Sequence, residues 1–189
     1  MLYDAPSRTG TPLSRDTVAR AAEHPNVVAI KDATGDLGTA AWLMDRTDLR
    51  YYAGDDVAVL PTLAAGGTGL VGVTANVAPR AYRHLLDAVR DGDLRAATEQ
   101  HRALSPAVRA LTANGPAAAA TKLVLHAQDR LSSARVRLPL VGPGPEEVAR
   151  MRAELDLARH LPDGSLADLR LDASAAYGGA LAVGPDRWR

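Results

Sequence analysis

The stretch that decides the fold is Val27-Val28-Ala29-Ile30-Lys31-Asp32-Ala33-Thr34-Gly35-Asp36, in which an apolar run ends abruptly in polar side chains. The apolar residues 27–30 follow the turn residues Pro25 and Asn26, and they predict a short strand buried on both faces. Such strands are typical of parallel sheets. Lys31 is therefore expected at the carboxyl end of a parallel strand, where the active sites of α/β proteins lie.

Segments typical of strands and of helices alternate around this stretch. A strand is predicted to end at Leu2-Tyr3, and two more are predicted over 49–53 and 70–74. Helices are predicted near 16–22, 38–46 and 57–65. A spacing of roughly 20 residues between strands is the size of a compact βα unit. The pattern predicts an α/β fold whose parallel strands all open on one face.

The rest of the chain has the pattern of helices. They are predicted over 78–90, over 93–111 with an interruption near Pro106, over 117–127 and over 146–159. Beyond residue 161 no periodicity is visible. We therefore predict three parts: residues 1–91 as the βα part, 92–161 as a helical region, and 162–189 as a weakly ordered tail.

Composition excludes several classes of function. The chain has 189 residues, with 22 Lys+Arg against 22 Asp+Glu and no Cys. A net charge of zero offers no electrostatic footprint for nucleic acid and no polybasic membrane patch. Without cysteine there is no disulfide scaffold, thiolate metal site or cysteine nucleophile. No apolar run approaches the ~20 residues of a membrane span, so we expect a cytoplasmic globular protein that binds neither nucleic acid nor membrane.

Lys31 is the residue with the most informative chemistry. A lysine held at the end of a buried strand lies in a low dielectric, which lowers the pKa of its amine. The neutral amine can attack a ketone and form a Schiff base. The structural alternative is a lysine whose stem follows the strand while its head reaches solvent.

Tyr3 and Arg8 stand near the predicted end of the first strand. Tyr3 could pass protons near the amine, and the Arg8 guanidinium could hold a substrate carboxylate. The alternatives are a packing tyrosine and a solvated arginine. The acidic residues at the strand ends lack a histidine at ligand spacing, which argues against a metal site. The glycines of 66–69 precede a strand, which favours a tight turn over a phosphate loop.

These residues carry a family resemblance. Four segments in order resemble the dihydrodipicolinate synthase family of class I pyruvate-dependent aldolases: residues 3–10 (YDAPSRTG), 28–36 (VAIKDATGD), 54–56 (GDD) and 73–76 (VTAN). The resemblance runs from about Leu2 to Arg159. The run over 7–10 favours this family over the N-acetylneuraminate lyase branch.

The resemblance implies a fold and a reaction. The fold would be part of a TIM (β/α)8 barrel, from the end of strand five through unit eight, followed by C-terminal helices. Lys31 would form a Schiff base with pyruvate, so no separate cofactor would be needed. The resulting enamine would add to L-aspartate semialdehyde, and the product would feed lysine and diaminopimelate synthesis.

The resemblance also implies roles for other residues. Tyr3 would relay protons, and Arg8 would hold the carboxylate of the aldehyde substrate. Val71 would contact pyruvate through its backbone, while Gly54 and Asp55 would line the site. The active form would be a homo-oligomer, since full-length relatives are tetramers.

The chain departs from the family pattern in two places. Asp4, where the family commonly has Asn, is a tolerable variation. The serious departure is that the chain begins at what would be the end of the fifth strand. We therefore expect this chain, expressed alone, to self-associate, aggregate or fold only in part. Two alternatives stay open: a non-catalytic truncated copy that at most associates with a complementary half-barrel, and a sister pyruvate aldolase with another aldehyde acceptor.

Overall fold

The computed structural model describes residues 1–158, 161, 164, 166–167 and 169–177. Within them four strands form one parallel sheet in the order β1-β2-β3-β4, which confirms the predicted α/β class. The strands are β1 (Leu2–Asp4), β2 (Ala29–Asp32), β3 (Arg50–Ala53) and β4 (Gly69–Leu70). Because sheet neighbours are also neighbours along the chain, successive βα units lie side by side.

Helices occupy most of the remaining described residues. They are α1 (Pro6–Thr9), α2 (Arg15–Ala22), α3 (Leu37–Arg46), α4 (Val59–Ala64), α5 (Pro79–Arg90), α6 (Leu94–Thr112), α7 (Ala117–Ala127), α8 (Pro145–Ala158) and α9 (Ala173–Tyr177). Two short 3₁₀ turns, Asp56–Ala58 and Thr74–Asn76, follow β3 and β4. No helix in the described part of the chain is both long and apolar enough to cross a membrane.

One face of the sheet forms a hydrophobic core with the helices α2 and α3. Ile30 of β2 and Tyr51 of β3 are buried against side chains of α2 and α3. Both helices begin at capping residues whose side chains accept a backbone N–H: Ser14 from Thr17 at 3.2 Å, and Asp36 from Thr39 at 3.0 Å. Since side chains alternate along a strand, the residues next to Ile30 and Tyr51 belong to the opposite face.

The structure corrects three details of the predicted elements. The strand predicted over 27–30 runs from Ala29 to Asp32. The turn before it extends to Val27, whose N–H donates to His24 O at 2.9 Å, so the strand begins two residues later than predicted. The strand predicted over 70–74 ends at Leu70. Helix α6 continues through Pro106, so the predicted interruption is absent. The proline removes one backbone hydrogen-bond donor, and burial of neighbouring side chains such as Leu104 and Ala107 offsets that loss.

The chain forms two compact units. The first comprises residues 1–75 with 82–101 and contains the sheet. The second comprises residues 76–81 and the described residues from 102 onward. Within it Arg109 of α6 forms an ion pair with Glu154 of α8 at 2.8 Å. The division predicted at 91/92 and 161/162 stays a prediction, and many residues of the predicted tail lie outside the described part.

Candidate active site

Lys31 occupies the middle of a row of side chains that crosses the sheet. Its register partners are Tyr3 on β1 and Tyr52 on β3, and Tyr52 is paired in turn with Gly69 on β4. By alternation this row lies on the face opposite Ile30 and the helical core. Lys31 is thus part of β2, one residue before its end, and not the first residue beyond it.

The Lys31 amine lies over the ring of Tyr3. Its Nζ is 4.1 Å from the ring centroid, a distance at which the ring's negative face attracts a cation. Lys31 is half-buried, while Tyr3 is 52% exposed. The amine can therefore be reached from the open face of the sheet, and its direction is set by an aromatic neighbour.

Tyr52 is a site neighbour that the sequence analysis did not single out. A Cβ on Gly69 would lie 3.3 Å from the Tyr52 ring, so the absence of a side chain at Gly69 makes room for that ring. Residues 31 and 52 are far apart in sequence, and the strand register is what brings Tyr52 beside Lys31. The "Tyr-Tyr" pair at 51–52 was the one available signal: adjacent strand residues face opposite sides, so one of the two had to share the face of Lys31.

Gly54 and Val71 continue the backbone hydrogen bonding between neighbouring strands, at the carboxyl end of the sheet. The N–H of Gly54 donates to Asp32 O at 2.6 Å, and the N–H of Val71 donates to Ala53 O at 2.9 Å. A Cβ on Gly54 would lie 2.8 Å from Asp32 O, which is too close for any side chain. The structure therefore places these two predicted residues at the carboxyl ends of β3 and β4, next to the row of Lys31.

Arg8 and Asp55 are exposed and are not members of the strand row that contains Lys31. Arg8 is on α1, the short helical turn that follows β1. Asp55 caps the 3₁₀ turn after β3 by accepting the Val57 N–H at 3.5 Å. Among the described residues, neither forms a hydrogen bond or ion pair with Lys31.

On the helix-covered face, two carboxylates lie side by side at the ends of β1 and β2. Asp4 and Asp32 are register partners. Asp4 Oδ2 accepts the Leu13 N–H at 3.0 Å, and Asp32 accepts the Tyr51 hydroxyl and the Thr34 N–H. Burial, together with the charge of Asp32, raises the pKa of Asp4 above its usual value, and the Leu13 N–H opposes that rise. Burial and the bond to Asp32 raise the pKa of the Tyr51 hydroxyl.

Replacing Asp4 by asparagine should flatten the pH dependence of folding stability. A raised pKa means that the folded chain retains a proton that the unfolded chain has released above its ordinary value of 3.8. Stability therefore falls as the pH rises from that value through the folded pKa, and the deficit persists above it. Asn has no proton to release and can still accept the Leu13 N–H. The free energy of unfolding of Asp4→Asn, measured by urea denaturation across the acid range, should therefore not show this decline.

Asp87→Asn is the matched control for that experiment. The ion pair with Arg83 at 2.6 Å lowers the pKa of Asp87, so this carboxylate stabilises the fold above its unfolded pKa and loses that effect as the pH falls. The control should thus change the pH profile in the opposite sense. Identical profiles for the parent chain and Asp4→Asn would contradict the assignment.

The fold and this site define a class of protein: an α/β chain whose described residues form four parallel strands in chain order, as in part of a barrel, with a lysine on the face opposite the helical core. The described residues contain no group of three or more His, Asp or Glu side chains that could hold a metal ion. The chain belongs to the dihydrodipicolinate synthetase family, whose sequence model matches residues 1–157.

Individual relatives agree with this assignment. The chain is 44% identical over 162 residues to the 4-hydroxy-tetrahydrodipicolinate synthase of Kineococcus radiotolerans, covering 86% of this chain and 53% of the relative. The 4-hydroxy-tetrahydrodipicolinate synthase structure from Methylacidiphilum fumariolicum matches with a TM-score of 0.80 at 28% identity, over 87% of this chain and 55% of that one. The pyruvate complex of the Acinetobacter baumannii dihydrodipicolinate synthase matches with a TM-score of 0.75 at 32% identity, over 83% and 54%.

The chain spans about half the length of the curated relatives it matches. Its four strands likewise match these barrel structures over part of their length.

Proposed function

We propose that this chain carries the pyruvate-binding part of a 4-hydroxy-tetrahydrodipicolinate synthase, spanning the end of barrel strand five through unit eight. The observation that carries the proposal is the position of Lys31: a half-buried amine on the open face of the sheet, against the ring of Tyr3. A relative of known structure, that of Acinetobacter baumannii, was solved in complex with pyruvate.

In the proposed reaction Lys31 is the nucleophile. The lone pair of its Nζ attacks the ketone carbon of pyruvate, a C–N bond forms, and the ketone oxygen leaves as water. The imine draws electrons from the neighbouring methyl group, which loses a proton and becomes an enamine carbon. That carbon bonds to the aldehyde carbon of L-aspartate semialdehyde, whose oxygen takes up a proton. The amine of the semialdehyde then displaces Lys31 from the imine carbon and closes the ring.

Tyr3 is the proposed carrier of these protons. A tyrosine hydroxyl both donates and accepts, and the Tyr3 ring already contacts the amine. The backbone of Val71 and the residues Gly54 and Asp55 are the proposed floor for pyruvate, since the ladder brings the first two beside the Lys31 row.

Arg8 is the proposed anchor for the carboxylate of the semialdehyde. A guanidinium can hold a carboxylate through two parallel N–H donors, and Arg8 is exposed on the turn α1 that follows β1. In the described residues no acid pairs with it, so its donors are available to a ligand.

Arg8→Ala should raise the semialdehyde concentration that half-saturates pyruvate consumption by about ten- to a hundredfold, because losing a charge-assisted pair costs roughly 1.5–3 kcal/mol. Pyruvate trapping on Lys31 should be unchanged. The matched control is Arg20→Ala, which removes another exposed guanidinium of the same unit from α2. An equal effect of both variants would contradict the role of Arg8.

The acceptor and the alternatives are tested by the same assay. Faster consumption of pyruvate with L-aspartate semialdehyde than with other aldehydes would support the synthase, and a preference for another aldehyde would identify a sister aldolase. No consumption with any acceptor would favour a non-catalytic copy. One observation favours that alternative: Tyr3 is half-exposed, and within the described residues its hydroxyl forms no hydrogen bond that could relay a proton.

A further inference from the structure

Asp56 is a buried carboxylate that gathers donors from two other parts of the chain. It begins the 3₁₀ turn after β3 and is 2% exposed. Its Oδ2 accepts the Val73 N–H at 2.8 Å, and both of its oxygens lie within 3.3 Å of the Thr74 N–H. Its Oδ1 also accepts the hydroxyl of Tyr82 from α5 at 2.6 Å. A buried charge is stabilised only when it is paired or hydrogen-bonded, and this one has three donor groups.

The segment after β4 is shaped around this carboxylate. A Cβ on Gly72 would lie 2.5 Å from Asp56 Oδ1, so only glycine lets the chain pass at this distance. Immediately before it, the Val71 N–H is bonded to Ala53 O on β3 at 2.9 Å. Residues 71–74 are therefore held at one end by the backbone of β3 and at the other by Asp56. This capture also explains why β4 stops at Leu70.

Tyr82 ties the same carboxylate to helix α5. Its side chain is 3% exposed, and burial together with the charge of Asp56 raises the pKa of its hydroxyl. The hydroxyl therefore stays protonated and keeps donating to Asp56. Helix α5, the turn after β3 and the segment after β4 thus meet at one pair of oxygen atoms.

We propose that Asp56 is a positioning residue for pyruvate, because it fixes residues 72–74 and through them the backbone of Val71. The proposal rests on the proposed function, in which Val71 contacts pyruvate through its backbone. Asp56 itself does not touch the substrate. Its neighbour Asp55 is exposed and is the acid proposed to line the site, whereas Asp56 is buried and would act through the backbone that it holds.

Substitution by asparagine should separate this role from simple folding. An amide has one acceptor oxygen, whereas three donor groups converge on Asp56, and its NH₂ would face at least one of these donors. Asp56→Asn should therefore loosen residues 72–74 at nearly constant volume. Tyr82→Phe removes only the hydroxyl donor and leaves both backbone bonds, so its effect should have the same sign and be smaller.

The test combines two readouts on the full chain. Hydrogen exchange should be faster at the Val73 and Thr74 amides in Asp56→Asn than in the parent. When the pyruvate adduct is trapped with borohydride, the pyruvate concentration giving half-maximal adduct should rise about tenfold, as expected for a displaced binding group, while the maximal adduct stays unchanged. Asp87→Asn is the control, since it makes the same chemical change at a partly exposed acid of α5, paired with Arg83, and should alter neither readout.

Each outcome decides between the claims. Unchanged hydrogen exchange at residues 73–74 would contradict the claim that Asp56 holds this segment. Faster exchange with an unchanged half-saturating pyruvate concentration would overturn the positioning role. If Asp56→Asn fails to fold, Tyr82→Phe decides instead, and an unchanged half-saturating concentration in that variant overturns the inference. A parent chain that traps no pyruvate overturns the proposed function, and the positioning role falls with it. A normal parent adduct with an unaffected variant overturns the inference alone.

Discussion

Lys31→Ala should reduce the borohydride-trapped pyruvate adduct to background. In the parent chain, incubation with pyruvate and reduction should add the mass of one pyruvate less one oxygen atom, because the imine loses water and then gains two hydrogens. The alanine variant has no amine at this position, so no imine can form there. Its side chain belongs to the open face of the sheet and not to the helical core, so the loss should not reflect unfolding. Circular dichroism checks that point.

The chain offers a matched control in its other lysine. The sequence contains two lysines, Lys31 and Lys122. Lys122 is on α7, where its ammonium donates to the carbonyl of Arg135. Lys122→Ala removes an amine of identical chemistry from the helical unit and should leave the adduct intact. Loss of the adduct in Lys122→Ala, or its survival in Lys31→Ala, would contradict the assignment of the nucleophile.

The second large effect concerns association. Expressed alone, this chain should self-associate, so that its mass in solution exceeds that of one chain. Within the described residues β1 and β4 are the two edges of the sheet, each with unpaired backbone groups that can template another strand. Apolar side chains of the same unit are exposed as well, among them Val57, 60% exposed.

Two lysine substitutions distinguish the sheet from the helical unit as the contact. Val57→Lys places a charge just beyond β3 and should shift the chain toward the monomer in light scattering. Leu138→Lys changes a side chain that is 87% exposed in the other unit and should not. Dissociation by Leu138→Lys alone would assign the contact to the helical unit. A parent chain that is monomeric and unfolds in one cooperative transition would contradict the prediction altogether.

Much of the sheet unit could be predicted because its signals are local. The apolar run at 27–30 marks β2 within two residues, and the helices predicted near 16–22 and 38–46 match α2 and α3 within one residue. The position of Lys31 near the end of a parallel strand follows from the same run. Helix α7 was predicted with its observed bounds, since Pro116 and the following alanines mark its start.

What could not be predicted depends on residues distant in sequence. Tyr52 joins the row of Lys31 only through the register of β2 and β3. The end of β4 at Leu70 depends on Asp56, which captures the amides of Val73 and Thr74 from 17 and 18 residues away. Pro106 suggested an interruption of α6 because a proline is a local signal, whereas the burial around it is a property of the fold.

The central claim, that the Lys31 amine is the nucleophile for pyruvate, is tested most directly by locating the adduct. After reduction with borohydride and digestion with trypsin, a modified Lys31 blocks cleavage, so the adduct should appear on one peptide spanning residues 21–46. An adduct on that peptide alone is the predicted result. An adduct at Lys122 or at the amino terminus with none at Lys31, or no adduct at millimolar pyruvate, would contradict it.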